Sequence, residues 1–410
     1  MAERHVEYLL IGGQAAGNCG RWLREEGADG SILLVGREPD LPYYRPDCSK
    51  DYLRGEKPRE EVLFRPPEWY DEQQIEVLTK VSALSLDPRE RRVKLSNGDE
   101  VRFERALLAT GSNVRRLNVP GCELDGIHYL RTLGNSDSIR ENARGKRVVL
   151  IGGSYIATEV AASLTELGSS CELVMLEHVV LSTGFGEQAG RFFQSRLEEH
   201  GIVVHSDDRL DRFEGSDGRV TKVITQGGLE LDADAVVIGA GVIPDVTLAR
   251  NAGLELGDTG GVLLDAKLET QAPGVFAAGD IADYDSVIHG RRLRIEHWDV
   301  SFNQGKAAAR GMLGRDQPYD VVPYFFSDLS DWASLEYVGP ASEWDREIVR
   351  GSIDEGKFSI FYVQDGQVVA TLAVGRSDDI EVGSRLMTSH TDMSGREDEL
   401  GDLSTDLAGI

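Results

Sequence analysis

Twice in this chain an apolar run ends in paired glycines and opens into a helix of small residues. The first copy is VEYLLI (6–11), Gly12-Gly13, AAGNCGRWLREE (15–26) and the strand SILLVG (31–36). The second is KRVVLI (146–151), Gly152-Gly153-Ser154, YIATEVAASLTELG (155–168) and CELVMLE (171–177). Each reads as a β-α-β unit, and the two share a register: Gly12 to Arg37 and Gly152 to Glu177 both span 25 residues. A crossover helix between successive strands implies a parallel sheet, so the chain is α/β. Two units with equal spacing predict two separate nucleotide sites.

Composition narrows the class. A chain of 410 residues can hold two or three domains with full cores, and 46 glycines suit many tight strand-to-helix turns. The formal net charge of −26 argues against nucleic acid, which needs a basic face, and against anionic membranes; it reads as a solvated, self-repelling surface. Cys19, Cys48, Cys122 and Cys171 lack the short spacings of an iron–sulfur cluster or a local redox disulfide, and no metal site is expected. The start MAERHVEYLLIGG enters a strand at once, so no signal peptide is expected. No apolar run approaches a membrane span, and a cytoplasmic protein is the expectation.

Between the two units, 91–111 reads as a hairpin and a strand, with Asn97-Gly98 as the turn. Residues 234–244 form another strand into a glycine turn, and PGVFAAGDI (273–281) a strand that meets Asp280. From about Tyr319 the pattern changes to short strands, ASLEYVG, REIVRGS, KFSIFYV and VVATLAVG, the last two joined by Asp365-Gly366. This predicts a small antiparallel domain. Residues 389–410 carry six acids against one Arg and predict an acidic mobile tail.

In a dinucleotide turn the first glycine permits the bend, the second lets backbone N–H groups approach a pyrophosphate, and the third lets helix pack on strand. The 152–157 copy has Gly152, Ser154 and Ala157 at these positions, a mild departure. The 12–17 copy has Gly12, Gln14 and Gly17; Gln14 is tolerable only if its side chain points away from the ligand or bonds to it. About 20 residues on, an acid accepts from a ribose 2′-OH. Glu177 therefore predicts NADH over NADPH at the second site. At the first, Arg37 holds the matching place and Glu38 is the candidate ribose contact; Arg37 either stacks on an adenine or is solvated.

The ordered motifs GGQAAG, PYYRPDCSK, ATGS, GGSYIATE, GAGVIPD, GVFAAGDI and IEHWDVSFNQG strongly resemble the two-dinucleotide flavoprotein reductases of the pyridine nucleotide-disulfide oxidoreductase fold. The FAD-dependent, NADH-using ferredoxin, putidaredoxin and rubredoxin reductases and apoptosis-inducing factor are of this kind. The resemblance covers nearly the whole chain. It implies an FAD-binding domain over 1–117 and 244–318, an inserted NAD-binding domain over 118–243, and an α+β C-terminal domain with an antiparallel sheet over 319–388.

The resemblance also implies roles. Gly12, Gly13, Gln14, Ala15 and Ala16 should cradle the FAD pyrophosphate. Arg45 and Lys50 match flavin-contacting residues, and Ala109, Thr110, Gly111, Gly279 and Asp280 line the same cofactor, Asp280 on a ribityl hydroxyl. Glu296, His297 and Trp298 should open a helix whose N-terminus faces the flavin N1–C2=O2 edge, where negative charge gathers on reduction. On the NAD side stand Gly152, Gly153, Ser154, Tyr155, Ile156, Glu177 and Gly241. Glu159 should pair with Lys50 close to flavin N5, and Tyr155 either covers the flavin as a gate or packs beneath its helix.

Two departures stand out: Gln14, and RPDCSK in place of the family's RPPLSK, with Asp47 and Cys48 for Pro and Leu. Cys48 is either a redox thiol or a buried bystander. The expected activity is that of an oxidoreductase taking hydride from NADH onto FAD and passing electrons to a small ferredoxin- or rubredoxin-type protein. The alternatives are an NADH oxidase or quinone or disulfide reductase on the same scaffold, and a weakly flavinated protein acting through a partner. An acidic acceptor would need a local basic patch, for which Arg89, Arg91, Arg92, Arg115, Arg116, Arg291, Arg292 and Arg294 are candidates.

Overall fold

The computed structural model describes residues 4–410, which fold into two compact units. The first comprises residues up to Arg45, Glu60–Asn113 and Ile243–Pro323; the second comprises Pro46–Arg59, Val114–Val242 and Tyr324–Ile410.

The first unit is built on a seven-stranded sheet. Strand Arg4–Gly12 lies between Ile32–Val35 and Glu100–Ala109, parallel to both, and Ile75–Leu78 extends the parallel array beyond Ile32–Val35. Glu100–Ala109 is long enough to serve two partners. Its first half pairs antiparallel with Arg92–Leu95, across the Asn97-Gly98 turn, and its second half parallel with Val275–Ala277. The strands are apolar on both faces because both are covered. Leu9, Ile11, Leu33 and Val35 point into one core, and Tyr8, Leu10, Ile32 and Leu34 into another. The second core is roofed by helices Gln14–Glu25 and Trp298–Met312, through Ala15, Ala16, Cys19, Ala308, Ala309 and Met312.

The second unit holds a five-stranded parallel sheet, in the order Val203–His205, Ser170–Val174, Arg147–Ile151, Ala235–Ile238, Ile127–Tyr129. Helix Tyr155–Glu166 makes the crossover between Arg147–Ile151 and Ser170–Val174. The same unit carries the five-stranded antiparallel sheet expected from the C-terminal pattern, with the Asp365-Gly366 hairpin joining Lys357–Gln364 to Gln367–Val374. In the C-terminal part, strand Tyr324–Leu329 and helix Ser377–Thr388 were not placed by the sequence reading.

The domain expectations change in two places. Residues 46–59, placed in the FAD-binding segment by the motif order, group with the second unit, which also takes in both 118–242 and the C-terminal sheet. The mobile tail over 389–410 gives way to a packed one. Met393, Leu400 and Leu407 are buried, and the Arg350 guanidinium donates to the carbonyls of Leu400, Asp402 (2.5 Å) and Thr405 (3.1 Å). A few well-spaced apolar residues anchor a segment whose average composition reads as disordered.

Candidate functional site

In the first unit, Gly12 ends its strand opposite Ala109 with φ +143°, and a Cβ there would overlap the Ala109 carbonyl oxygen. The turn is therefore closed to any side chain at its first position. Gly17 has a matching role against the next segment, since a Cβ on it would sit 2.7 Å from Pro42 Cβ. Gly13 is open: a Cβ there would meet only Arg45 Nη2, at 3.8 Å. It is also the N-cap of helix Gln14–Glu25, with no side-chain cap and no acid in the first turn. Bare N–H groups at a helix start, with a guanidinium overhead, make an anion site.

Gln14 leaves this space free. Its Nε2 donates to the Trp298 carbonyl at 3.0 Å, so the side chain runs toward the neighbouring helix. Ala15 and Ala16 are buried beneath the turn. Arg45 is held by Glu38 Oε1 (2.8 Å) and Tyr43 Oη (2.7 Å), and Tyr43 Oη in turn donates to Glu38 Oε2 at 2.6 Å. Glu38, the candidate ribose contact, thus has both oxygens engaged. Arg37 donates to Asp245 Oδ2 (2.7 Å) and Asn113 Oδ1 (2.8 Å).

The other motifs of this unit gather on the same strand ends. Ala109, Thr110 and Gly111 follow the strand paired with Gly12, with Thr110 Oγ1 donating to the Asp245 carbonyl (2.7 Å) and the Gly111 carbonyl accepting from Asp245 N (2.8 Å). Gly279 adopts φ +77° and donates its N–H to Gln304 Oε1 (2.7 Å); Asp280, next to it, is buried. Glu296 pairs with Arg294 at 2.5 Å. His297 is the N-cap of Trp298–Met312, without a side-chain cap. The Trp298 ring stacks on Phe302 (5.5 Å between centroids) and leans on Tyr44 (5.8 Å). Burial raises the pKa of Asp299 in the same first turn, against a hydrogen bond from Asn303.

In the second unit, Gly152 has φ +121° and its missing Cβ leaves room for the Gly239 carbonyl. Ser154 is the uncapped N-cap of helix Tyr155–Glu166, which has no acid in its first turn. Glu177 reaches back over this turn. Its Oε2 lies 3.0 Å from where a Cβ on Gly153 would be, so carboxylate and bare backbone share one corner. Ile156 is exposed at the helix start, and Gly241 (φ +85°) accepts from Arg115 N at 2.9 Å.

Glu159 is held through both carboxylate oxygens. Lys50 Nζ is 2.5 Å from Oε1, Ser327 Oγ donates to Oε1 at 2.6 Å and Ser49 Oγ to Oε2 at 2.5 Å. Lys50 and Glu159 are both buried, and each charge is costly without the other. Lys50 Nζ also lies 5.8 Å from the Phe326 ring. Tyr155 packs on Phe325 (4.6 Å) and Phe185 (5.6 Å), and burial, then Glu159, raises its hydroxyl to about 12.

The sequence reading missed Ser49, Ser327, Asn18 and Phe325. Asn18 had a signal, one helical turn after Gln14, and Ser49 another, next to Lys50; Ser327 had none, because only tertiary placement brings it to Glu159. Cys48 is buried, and no disulfide joins the cysteines among the described residues. Of the candidate arginines, Arg92 pairs with Glu100, Arg292 with Asp283 and Asp285, and Arg294 with Glu296, so these three are not a basic patch. Among the described residues no cluster of His, Cys, Asp and Glu could hold a metal ion, and no helix is long and apolar enough to cross a membrane.

Comparison with known proteins gives the family of this fold. Residues 7–305 match the family described as pyridine nucleotide-disulphide oxidoreductase, and residues 324–410 match the one described as reductase C-terminal. A ferredoxin–NAD(P)(+) reductase of a Sphingomonas species is 32% identical over 94% of both chains. Among solved structures, the ferredoxin reductase for the CYP199A2 system of Rhodopseudomonas palustris superposes with a TM-score of 0.92 at 32% identity, over 98% of this chain and 99% of that one. A putidaredoxin reductase solved in covalent complex with putidaredoxin gives the same TM-score of 0.92 at 30% identity, over 98% and 97%.

Proposed function

The chain belongs to the pyridine nucleotide-disulphide oxidoreductase family, and from that premise we propose that it is a cytoplasmic FAD-dependent NADH reductase that passes electrons to a small ferredoxin- or rubredoxin-type protein. One observation carries the reading: two uncapped helix starts stand behind two glycine turns, one beneath a guanidinium and the other beside a carboxylate. The first suits the pyrophosphate of FAD, the second the adenosine ribose of NADH. When bound, FAD supplies hydride acceptance at N5 and delivery of electrons one at a time.

The residues then divide the remaining work. Gly12, Gly13 and Arg45 would hold phosphate; Asp280 and Glu38 would accept from hydroxyls; Ala109, Thr110, Gly111 and Gly279 would provide backbone beside the cofactor. Helix Trp298–Met312 presents its N-terminal N–H groups, with Glu296, His297 and Trp298, where charge develops on reduction. Gly152, Gly153, Ser154, Ile156 and Gly241 would receive the dinucleotide, and Glu177 would select against a 2′-phosphate. On the nicotinamide side the fixed Lys50–Glu159 ion pair would be the charged positioning group, and Tyr155 the ring that nicotinamide would displace. No general acid or base is required. A buried Cys48 thiol offers no exposed nucleophile, which disfavours the disulfide-reducing alternative.

The acceptor is tested by steady-state NADH oxidation with a [2Fe–2S] ferredoxin, a rubredoxin, a quinone and a disulfide in turn. The proposal expects turnover with an iron–sulfur protein that is unchanged in C48S. Turnover confined to quinone or disulfide, or abolished by C48S, overturns the acceptor assignment.

A further inference from the structure

We propose that Gln14 is a positioning residue of the flavin site, tying the phosphate turn to the helix end that faces the flavin. The proposal rests on the flavoprotein reading above. Where the glycine fingerprint breaks, the structure puts a rung between two helices. Gln14 Nε2 donates to the Trp298 carbonyl at 3.0 Å, and one turn further along both helices Asn18 Nδ2 donates to the Phe302 carbonyl at 2.6 Å. At the far end Arg310 Nε meets Glu26 Oε1 at 2.8 Å. All three pairs are separated by 284 residues, so Gln14–Glu25 and Trp298–Met312 run side by side, parallel and in step.

The contact between them is closely packed. A Cβ on Gly305 would overlap the Ala15 carbonyl oxygen and come within 3.2 Å of Cys19 N. Asn18 is wholly buried. The lower part of the helix pair is thereby set by packing and by two rungs that do not involve residue 14. The first turn of Trp298–Met312 takes the Gln14 donor on its Trp298 carbonyl, while the Trp298 ring rests on Phe302 and Tyr44. That turn carries the N–H groups assigned to the flavin edge. A glycine at position 14 would remove the top rung while leaving the rest.

The two interpretations of Gln14 therefore predict opposite signs. If it is a tolerated defect in the fingerprint, Q14G restores the turn and FAD binds at least as tightly. If it is a tie, Q14G weakens FAD binding about fivefold, the worth of one partly buried hydrogen bond, although it restores the glycine. The flavin midpoint potential also falls, because a loosened helix N-terminus stabilises the reduced, negatively charged flavin less well. Q14M keeps the length of the side chain but has no donor for a carbonyl and adds no charge beside the turn, so it must follow Q14G in both readouts.

The experiment is an FAD titration of the apoproteins of wild type, Q14G and Q14M, followed by potentiometry of the reconstituted forms. Weaker binding and a lower potential in both variants support the tie. Wild-type affinity and potential in either variant overturn it, as does a loss of thermal stability with no change of potential, which would mark Gln14 as a packing residue only. If wild type itself takes up no FAD, the flavoprotein reading falls and the tie with it, an outcome distinct from the others.

Discussion

Glu159 has three donors, two of them hydroxyls, and Lys50 alone brings charge. Replacing Lys50 by Met leaves a buried carboxylate with Ser49 and Ser327 but no cation. The expected cost is about 3–5 kcal/mol, read as a lower urea midpoint at unchanged slope. The double variant K50M/E159L should recover most of that loss while leaving NADH-driven turnover impaired. At Glu177 the expected effect is on selectivity: E177Q narrows the preference for NADH over NADPH about tenfold in kcat/KM, the equivalent of roughly 1.4 kcal/mol. An unchanged ratio would remove Glu177 from the ribose site. Residue identities at strand ends were legible in the sequence because the 25-residue spacing puts Arg37 and Glu177 at equivalent points. Their partners were not. Asp245 and Asn113 reach Arg37 from distant segments, as does Ser327 to Glu159, and nothing local in the sequence marks such meetings.

The two glycine turns should fail independently. Gly12 and Gly152 both combine positive φ with a carbonyl where a Cβ would go, so alanine strains the backbone and pushes a neighbouring strand end aside. G152A should retain flavin but lose NADH affinity by more than tenfold, seen as a raised KM and weakened quenching by bound NADH; G12A should be purified with little or no FAD. A G152A protein that binds NADH normally would argue that the second turn holds nothing. At this scale the sequence was most informative. The buried strand through Tyr8 to Ile11 and the Asn97-Gly98 hairpin follow from apolar run and turn chemistry, whereas the helix opening at Trp298 was implied by the family resemblance. Helix Ser377–Thr388 was missed because Gly383, beside Thr371, breaks an otherwise helical pattern in order to let the helix lie close on its strand.

For the molecule as a whole, charge and burial pull in different directions. A formal charge of −26 sits on the surface, while burial raises Tyr8 and Tyr155 to about 12 and pushes Tyr284 and Tyr337 up further. Unfolded tyrosine titrates near ~10. The neutral hydroxyls are thus favoured in the folded state, and their stabilising contribution is full below pH 10 and lost as pH rises toward 12. Thermal melts should be flat in this respect from pH 8 to 9.5 and fall steeply above 10, together with a jump in tyrosinate absorbance on unfolding. The extent of the units was the least legible feature, because composition averages hide anchors: Met393, Leu400 and Leu407 fasten a tail that counts as acidic and polar. The central claim concerns two cofactors on one chain, and its most direct test is the visible absorption spectrum of the purified protein, recorded before and after anaerobic addition of NADH. The account predicts flavin bands that bleach with one equivalent of NADH and far more slowly with NADPH. A colourless protein that stays so when given FAD, or flavin bands that NADH leaves untouched, would contradict it.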